Sequence, residues 1–280
     1  MTADLDITKL RGWIGRTETS VDTLTPRLAR EYVAMLDRAP GVDVAPLAIH
    51  WCLAPTAAPA AALGPDGHPP RGLFLPPVPL PRRMWAGGEL QFYDGLLVGD
   101  ALVRTSRIAD VAVKEGRTGI LCFVTVEHEI ASPRGLAISE RQDIVYRDNE
   151  AKTAPVAGVA PVRRGGGREA AWRREMRVDP VQLFRYSALT YNGHRIHYDR
   201  DYAVGVEAYP GLVVHGPLQA TWLLEYAAEI LGRPPAIFSF RGISPLFDFE
   251  RFTLCARQGA LGLELWTEVD GATAMEASAQ

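Results

Sequence analysis

The run Asn192-Gly193-His194-Arg195-Ile196-His197-Tyr198-Asp199 carries two of the six histidines in this 280-residue chain. A short way on, Gly211-Leu212-Val213-Val214-His215-Gly216-Pro217 leads into an apolar segment with helical period. The first run offers groups that take and return protons near neutral pH. The second reads as a helix opening on a His-Gly-Pro turn. A base that holds water, set beside a helix N-terminus that binds an oxyanion, is what adding water across an activated double bond requires.

In that chemistry His197 is the candidate base, and the Asn192 amide is placed to orient the same water. Gly216 lacks a Cβ, so a carbonyl oxygen can approach its N–H, and the positive helix end favours enolate-like charge. A histidine near a helix end is more often a cap or a satisfied polar group. For His197 the company of Asn192, His194 and a Gly-Pro helix mouth shifts the balance toward catalysis. His215 reads first as a cap of the following helix. His50, His68 and His128 stand apart in the sequence and read as structural.

Two similar halves must position these groups. In the first, Thr25-Pro26 opens a helix with Leu28, Tyr32, Met35 and Leu36 on one face. An irregular Pro/Gly-rich stretch follows from Pro55 to Gly88. Strand patterns come next at Glu89–Tyr93, Ala101–Lys114, Gly119–Ile130 and Leu136–Arg147. In the second half Asp179-Pro180 opens a short helix through Leu189, and a longer helix from about Pro217 to Leu231 carries an apolar stripe of Leu218, Trp222 and Tyr226. Strand patterns follow at Ala236–Arg241, Arg251–Gln258, Leu261–Val269 and Ala272–Ser278. The fold class is therefore α+β, a helix followed by an antiparallel sheet, twice over. The Ala/Pro/Gly/Arg-rich segment 151–168 has linker composition, which divides the chain into units 1–150 and 169–280.

Composition narrows the setting. The formal charge of −3 comes from well-mixed signs, which argues against a nucleic-acid partner. No apolar run suits a bilayer, and the polar, acidic start is unlike a secretory signal. Three scattered cysteines without CxxC spacing point to a reducing cytoplasm rather than to disulfides or zinc. There is no metal-ligand pattern and no dinucleotide fingerprint, so no cofactor is expected.

The segment Tyr186–Asp199 resembles the hydratase motif of MaoC-like (R)-specific enoyl-CoA hydratases. The stretches Trp13–Arg16, Leu63–Pro69 and Phe74–Gly88 are similar to the branch that holds the mitochondrial 3-hydroxyacyl-thioester dehydratases and the mesaconyl-C4-CoA hydratases. The resemblance implies a double hotdog, each unit a curled sheet around a helix, with catalysis in the second unit and a CoA-thioester as substrate. The general motif, Asp-x-Asn-Pro-[Ile/Leu]-His, is altered here. Asn192 falls on the Asp, His194 on the Asn, Arg195 on the Pro and His197 on the catalytic His. An amide cannot take a proton, so His197 carries the base role with His194 in support, and Asp199 and Glu207 are the candidates for the absent carboxylate. Gly216 falls on the family's oxyanion position.

Arg82, Arg83 and Arg195 are the candidates to bind a free substrate carboxylate. For the CoA phosphates, Arg163-Arg164 and Arg173-Arg174 are the basic pairs on offer, though without a compact motif both read first as solvated surface. Three readings stay open: a hydratase of short branched dicarboxylic enoyl-CoA, a 3-hydroxyacyl-thioester dehydratase on unbranched chains, or a non-catalytic acyl-CoA-binding hotdog. Two fused units either complete a pseudo-dimer or pair again as a homodimer.

Overall fold

The computed structural model describes residues 5–38, 44–116, 119–148, 158–159, 163 and 167–280. The first half contains α1 (Ile7–Arg11), β1 (Thr17–Thr23), α2 (Pro26–Met35), β2 (Arg82–Phe92), β3 (Ala101–Gly116), β4 (Gly119–Ser132) and β5 (Gly135–Arg147). The second contains β6 (Trp172–Arg177), α3 (Pro180–Leu189), α4 (Arg200–Gly205), α5 (Gly216–Leu231), β7 (Ile237–Gly242), β8 (Arg251–Gln258), β9 (Leu263–Val269) and β10 (Ala272–Ala279). Helix starts follow the expected chemistry. Thr25 accepts the Leu28 N–H at 3.1 Å ahead of Pro26, and Asp179 accepts the Gln182 N–H at 2.8 Å ahead of Pro180. Gly232 ends α5 in the left-handed conformation, at φ 69°.

Among the described residues the strands form one antiparallel sheet of ten, in the order β1-β3-β4-β5-β2-β7-β10-β9-β8-β6. The halves meet where β2 pairs with β7, Gly87 opposite Arg241 and Gly88 opposite Phe240. A Cβ on Gly87 would lie 2.5 Å from the Phe240 carbonyl oxygen, so this seam admits only glycine. Strand β2 begins at Arg82, inside the stretch whose composition reads as irregular, and continues to Phe92.

Helix α5 lies in the concavity of the sheet, against β10, β9, β8, β7 and β2. Its expected stripe is buried, with Leu218 0%, Trp222 5% and Tyr226 5% exposed. Each such side chain contributes about 1.5–3 kcal/mol by leaving water. Tyr32 and Met35 of α2 join that same core, and the Tyr32 hydroxyl lies 3.4 Å from Thr221 Oγ1 on α5. A second, smaller core lies between β3, β4 and β5 and a cover made by α1 and the Pro-rich run, with Leu10, Val78 and Leu80 against Ile108, Val124 and Tyr146. The two halves are therefore not equivalent: one long helix serves the second, and a proline-rich strap closes part of the first.

Most of segment 151–168 lies outside the described residues. Within it, Arg163 is an exception to the solvated reading. Its guanidinium is buried against the Glu250 carboxylate and donates to the Pro245 carbonyl at 2.6 Å. Arg164 lies outside the described residues. Arg173 and Arg174 are held by Glu268 and Glu229. No helix among the described residues is long and apolar enough to cross a membrane.

Candidate active site

The two runs that open the sequence argument are joined directly. The Val213 N–H donates to the Ile196 carbonyl at 3.0 Å, and His197 Nδ1 contacts the Val213 carbonyl oxygen at 2.7 Å. A carbonyl can only accept, so Nδ1 bears the hydrogen and Nε2 presents its lone pair. Among the described residues that Nε2 makes no hydrogen bond. The His197 ring is 7% exposed and stacks on His215 at 3.6 Å between centroids. A buried imidazole of fixed tautomer with an open lone pair has the geometry a proton acceptor needs.

Gly216 is the first residue of α5. A Cβ built on it would stand 3.7 Å from the Trp85 carbonyl oxygen and 3.9 Å from Met275 Cε. The open helix end thus faces strand β2 at Trp85, close to the His197–His215 stack. His215 precedes the helix but does not cap it with its side chain. Its Nε2 instead pairs with Ser187 Oγ on α3 at 2.8 Å, which ties the helix mouth to the motif. The capping role expected of His215 is corrected accordingly.

The Asn192 amide oxygen accepts the His194 N–H at 3.0 Å, a local turn bond that takes one of its two lone pairs and leaves the other to meet water. Several other expected roles are corrected. Asp199 caps α4 through the Tyr202 N–H and takes two hydrogen bonds from Arg195, at 2.9 and 2.7 Å. Glu207 pairs with Arg82, Oε2 to Nε at 3.3 Å. Neither carboxylate is therefore free to replace the Asp absent from the motif. By the same contacts Arg82 is buried in its own ion pair, over Tyr209, and Arg195 is spent on Asp199 while lying 4.2 Å over the Tyr202 ring. Of the three arginines, only Arg83 has no carboxylate partner among the described residues. It is half-buried, beside the Tyr146 hydroxyl, and its charge reaches His68 and His194.

His68 is the residue whose position in the sequence misleads most. Its ring lies 4.2 Å from that of His194, which in turn meets His197 edge-on at 5.4 Å. His68 Nδ1 is bonded to Asp66 Oδ2 at 2.9 Å. The loop that carries both is fastened to the motif, the Arg195 N–H donating to the Asp66 carbonyl at 2.9 Å and Arg195 Nη1 to the Pro65 carbonyl at 3.1 Å. Gly67 has φ +87° and sits so close that any Cβ would overlap the Gly193 carbonyl. Asp66, His68 and His194 bring possible ligand atoms within 4.8 Å of one another, but the Arg83 charge faces the same histidines and opposes a cation there. His50 and His128 keep their structural reading. His50 Nε2 lies 3.4 Å from the buried Glu140 carboxylate, which also fixes Trp51 against Trp85, 5.1 Å away.

Burial sets the proton chemistry. It pushes His197 down to about 4, the Val213 hydrogen bond opposing only in part. It pushes His194 down to about 2, with His68 and His197 adding to the effect, and it drives His215 well below the ordinary range. All three are neutral at pH 7. Each has a depressed value in the folded chain, so unfolding takes up protons below the free-histidine range of about 6.5. Stability is expected to fall as pH drops from about 6.5 toward 4, and Tm followed against pH checks this. Activity limited by His197 should lose its acid limb only near pH 4.

Comparisons with known proteins bear on this geometry. Residues 48–248 match the family described as hydroxyacyl-thioester dehydratase type 2. The chain belongs to this family. It is 44% identical over 273 residues to mesaconyl-C(4)-CoA hydratase of Chloroflexus aurantiacus, with 96% of each chain covered. A MaoC-like dehydratase from Phytophthora capsici superposes with TM-score 0.67 at 14% identity, over 99% of both chains. A Mycobacterium tuberculosis protein with a double hotdog fold superposes with TM-score 0.57 at 12% identity, over 95% of this chain and 96% of that one. These two likenesses show the double hotdog fold. The family match covers the loop with Asp66 and His68 as well as the motif and the helix mouth.

Proposed function

We propose that the chain is a hydro-lyase that reversibly adds water to a short, branched dicarboxylic enoyl-CoA of the mesaconyl-C4 kind. The near full-length identity of 44% to a mesaconyl-C(4)-CoA hydratase supports the reaction, and the position of Arg83 is the observation that supports the substrate class. In a 3-methylfumaryl thioester the β-carbon, which receives the water, also bears the free carboxylate. A guanidinium must then lie near the base, and Arg83 is placed by strand β2 two residues before Trp85, whose carbonyl faces Gly216. Along a strand that is about 7 Å.

In the proposed reaction the thioester oxygen lies on the Gly216 N–H at the α5 terminus. Water bonds to the β-carbon as one of its protons passes to His197 Nε2, and the double-bond electrons move onto the thioester oxygen. The proton on His197 then passes to the α-carbon as the enolate collapses. Catalysis belongs to the second unit, and the first lends its loop and strap to the acyl site. Turnover is read from loss of the conjugated thioester absorbance. Mesaconyl-C4-CoA should react much faster than crotonyl-CoA. The reverse preference would favour an unbranched acyl-thioester dehydratase, and binding of both thioesters without turnover would favour a non-catalytic protein.

A further inference from the structure

We propose that His68, oriented by Asp66, is a second water-binding group of the active site, lent by the first half of the chain in place of the carboxylate missing from the motif. This rests on the hydratase reading above. The observations behind it are independent of that reading. The motif's own amide cannot take a proton, and one lone pair of its oxygen already accepts the His194 N–H; Asp199 and Glu207 are held by arginines. Asp66 lies on the same group of imidazoles, and its bond is to the His68 ring rather than to an arginine.

The Asp66–His68 pair also has the character the role needs. Burial works against the Asp66 charge, but the hydrogen bonds from the His68 ring and backbone hold its carboxyl well below the usual carboxylate range, and burial lowers His68 itself, which favours the neutral ring. As an anion Asp66 can only accept, so His68 Nδ1 carries the hydrogen and Nε2 is left as an acceptor. That tautomer matches the one imposed on His197 by the Val213 carbonyl. Two imidazole lone pairs then serve one water. His197 takes the proton that is lost to the α-carbon, while His68 holds the second hydrogen, which stays on the product hydroxyl. Atoms and charge balance with no co-reactant. The loop is also held firmly enough to do this, because the Gly67–Gly193 contact and the two Arg195 bonds fix it to the motif.

The test is Asp66→Asn with His68→Gln, measured on mesaconyl-C4-CoA. Asparagine keeps the shape but can turn its amide toward Nδ1 and reverse the tautomer, as the corresponding change does in Ser-His-Asp triads. We expect kcat to fall by roughly tenfold to a hundredfold in either variant with KM nearly unchanged, and the double variant to fall little further. In nitrogen-15 spectra of the wild type the His68 hydrogen should lie on Nδ1, and it should move to Nε2 in Asp66→Asn. Wild-type kcat in both variants, or a loss confined to Tm and KM, overturns the inference and leaves the hydratase reading standing. A wild type that hydrates neither mesaconyl-C4-CoA nor crotonyl-CoA overturns both.

Discussion

Replacing His197 by asparagine is expected to lower kcat for hydration by about 10²–10⁴-fold while the fold survives. The asparagine amide nitrogen falls near the place of Nδ1 and can still donate to the Val213 carbonyl, the bond that ties the motif to the helix mouth at 2.7 Å. What it removes is Nε2, the lone pair proposed to accept the proton from water. His197→Gln does the converse, putting a polar atom near Nε2 and giving up the bond to Val213. If His197 is the base, both variants lose activity, and only the glutamine variant also loses appreciable stability. A histidine that merely satisfied the Val213 carbonyl would differ in the asparagine variant, which would then be nearly silent in activity as well as in stability, with glutamine alone damaging. Single-turnover rates together with thermal melts separate the two cases.

The second large effect belongs to Arg83. Arg83→Gln should lower kcat/KM for mesaconyl-C4-CoA by about a hundredfold or more, since truncating one member of a desolvated charge pair costs about 2–5 kcal/mol. Crotonyl-CoA has no second carboxylate, so its rate should change by less than about threefold, well under 1 kcal/mol. Part of the loss should appear in kcat as well as in KM, because a carboxylate on the attacked carbon repels the incoming water oxygen unless a cation offsets its charge. Arg82→Gln and Arg195→Gln should instead lower Tm and affect both substrates alike. Each of those arginines is committed to a carboxylate of its own chain, Arg82 to Glu207 and Arg195 to Asp199. A uniform effect of Arg83→Gln on both thioesters would remove the specificity assigned to it.

Much of this architecture is legible in the residues themselves. Helix α5 is bounded by Pro217 near its start and Gly232 past its end, and its stripe is apolar, so its extent is read almost to the residue. The inner strands β3, β4, β5, β8, β9 and β10 alternate well enough to be found. The two that escape notice, β1 (Thr17–Thr23) and β6 (Trp172–Arg177), are the edges of the ten-stranded sheet. Edge strands have little apolar face to bury, and TETSVDT and WRREMR show no hydrophobic period. The start of β2 is hidden for another reason: its glycines and the prolines before it look like loop, although Gly87 is there to let β7 approach.

The site divides along similar lines. His197, His194, His215 and Gly216 stand close together in the chain, and local spacing is enough to suggest them. The commitments of Arg82, Arg195, Asp199 and Glu207 depend on which neighbour each one meets, which spacing does not reveal. Asp66 and His68 come from the other half of the chain. The local signal they leave is Asp66-Gly67-His68, where a glycine between two proton-carrying groups marks a tight turn.

One measurement tests the central claim directly: the structure of the His197→Asn variant with mesaconyl-C4-CoA bound. The account predicts the thioester oxygen on the Gly216 N–H at hydrogen-bond distance, the free carboxylate on Arg83, and a water between residue 197 and His68 facing the β-carbon. An acyl group lying elsewhere, for instance in the groove on the outer face of the sheet lined by Arg141, Phe240 and Arg257, would contradict it. So would a carboxylate that turns away from Arg83 while the thioester occupies the helix mouth.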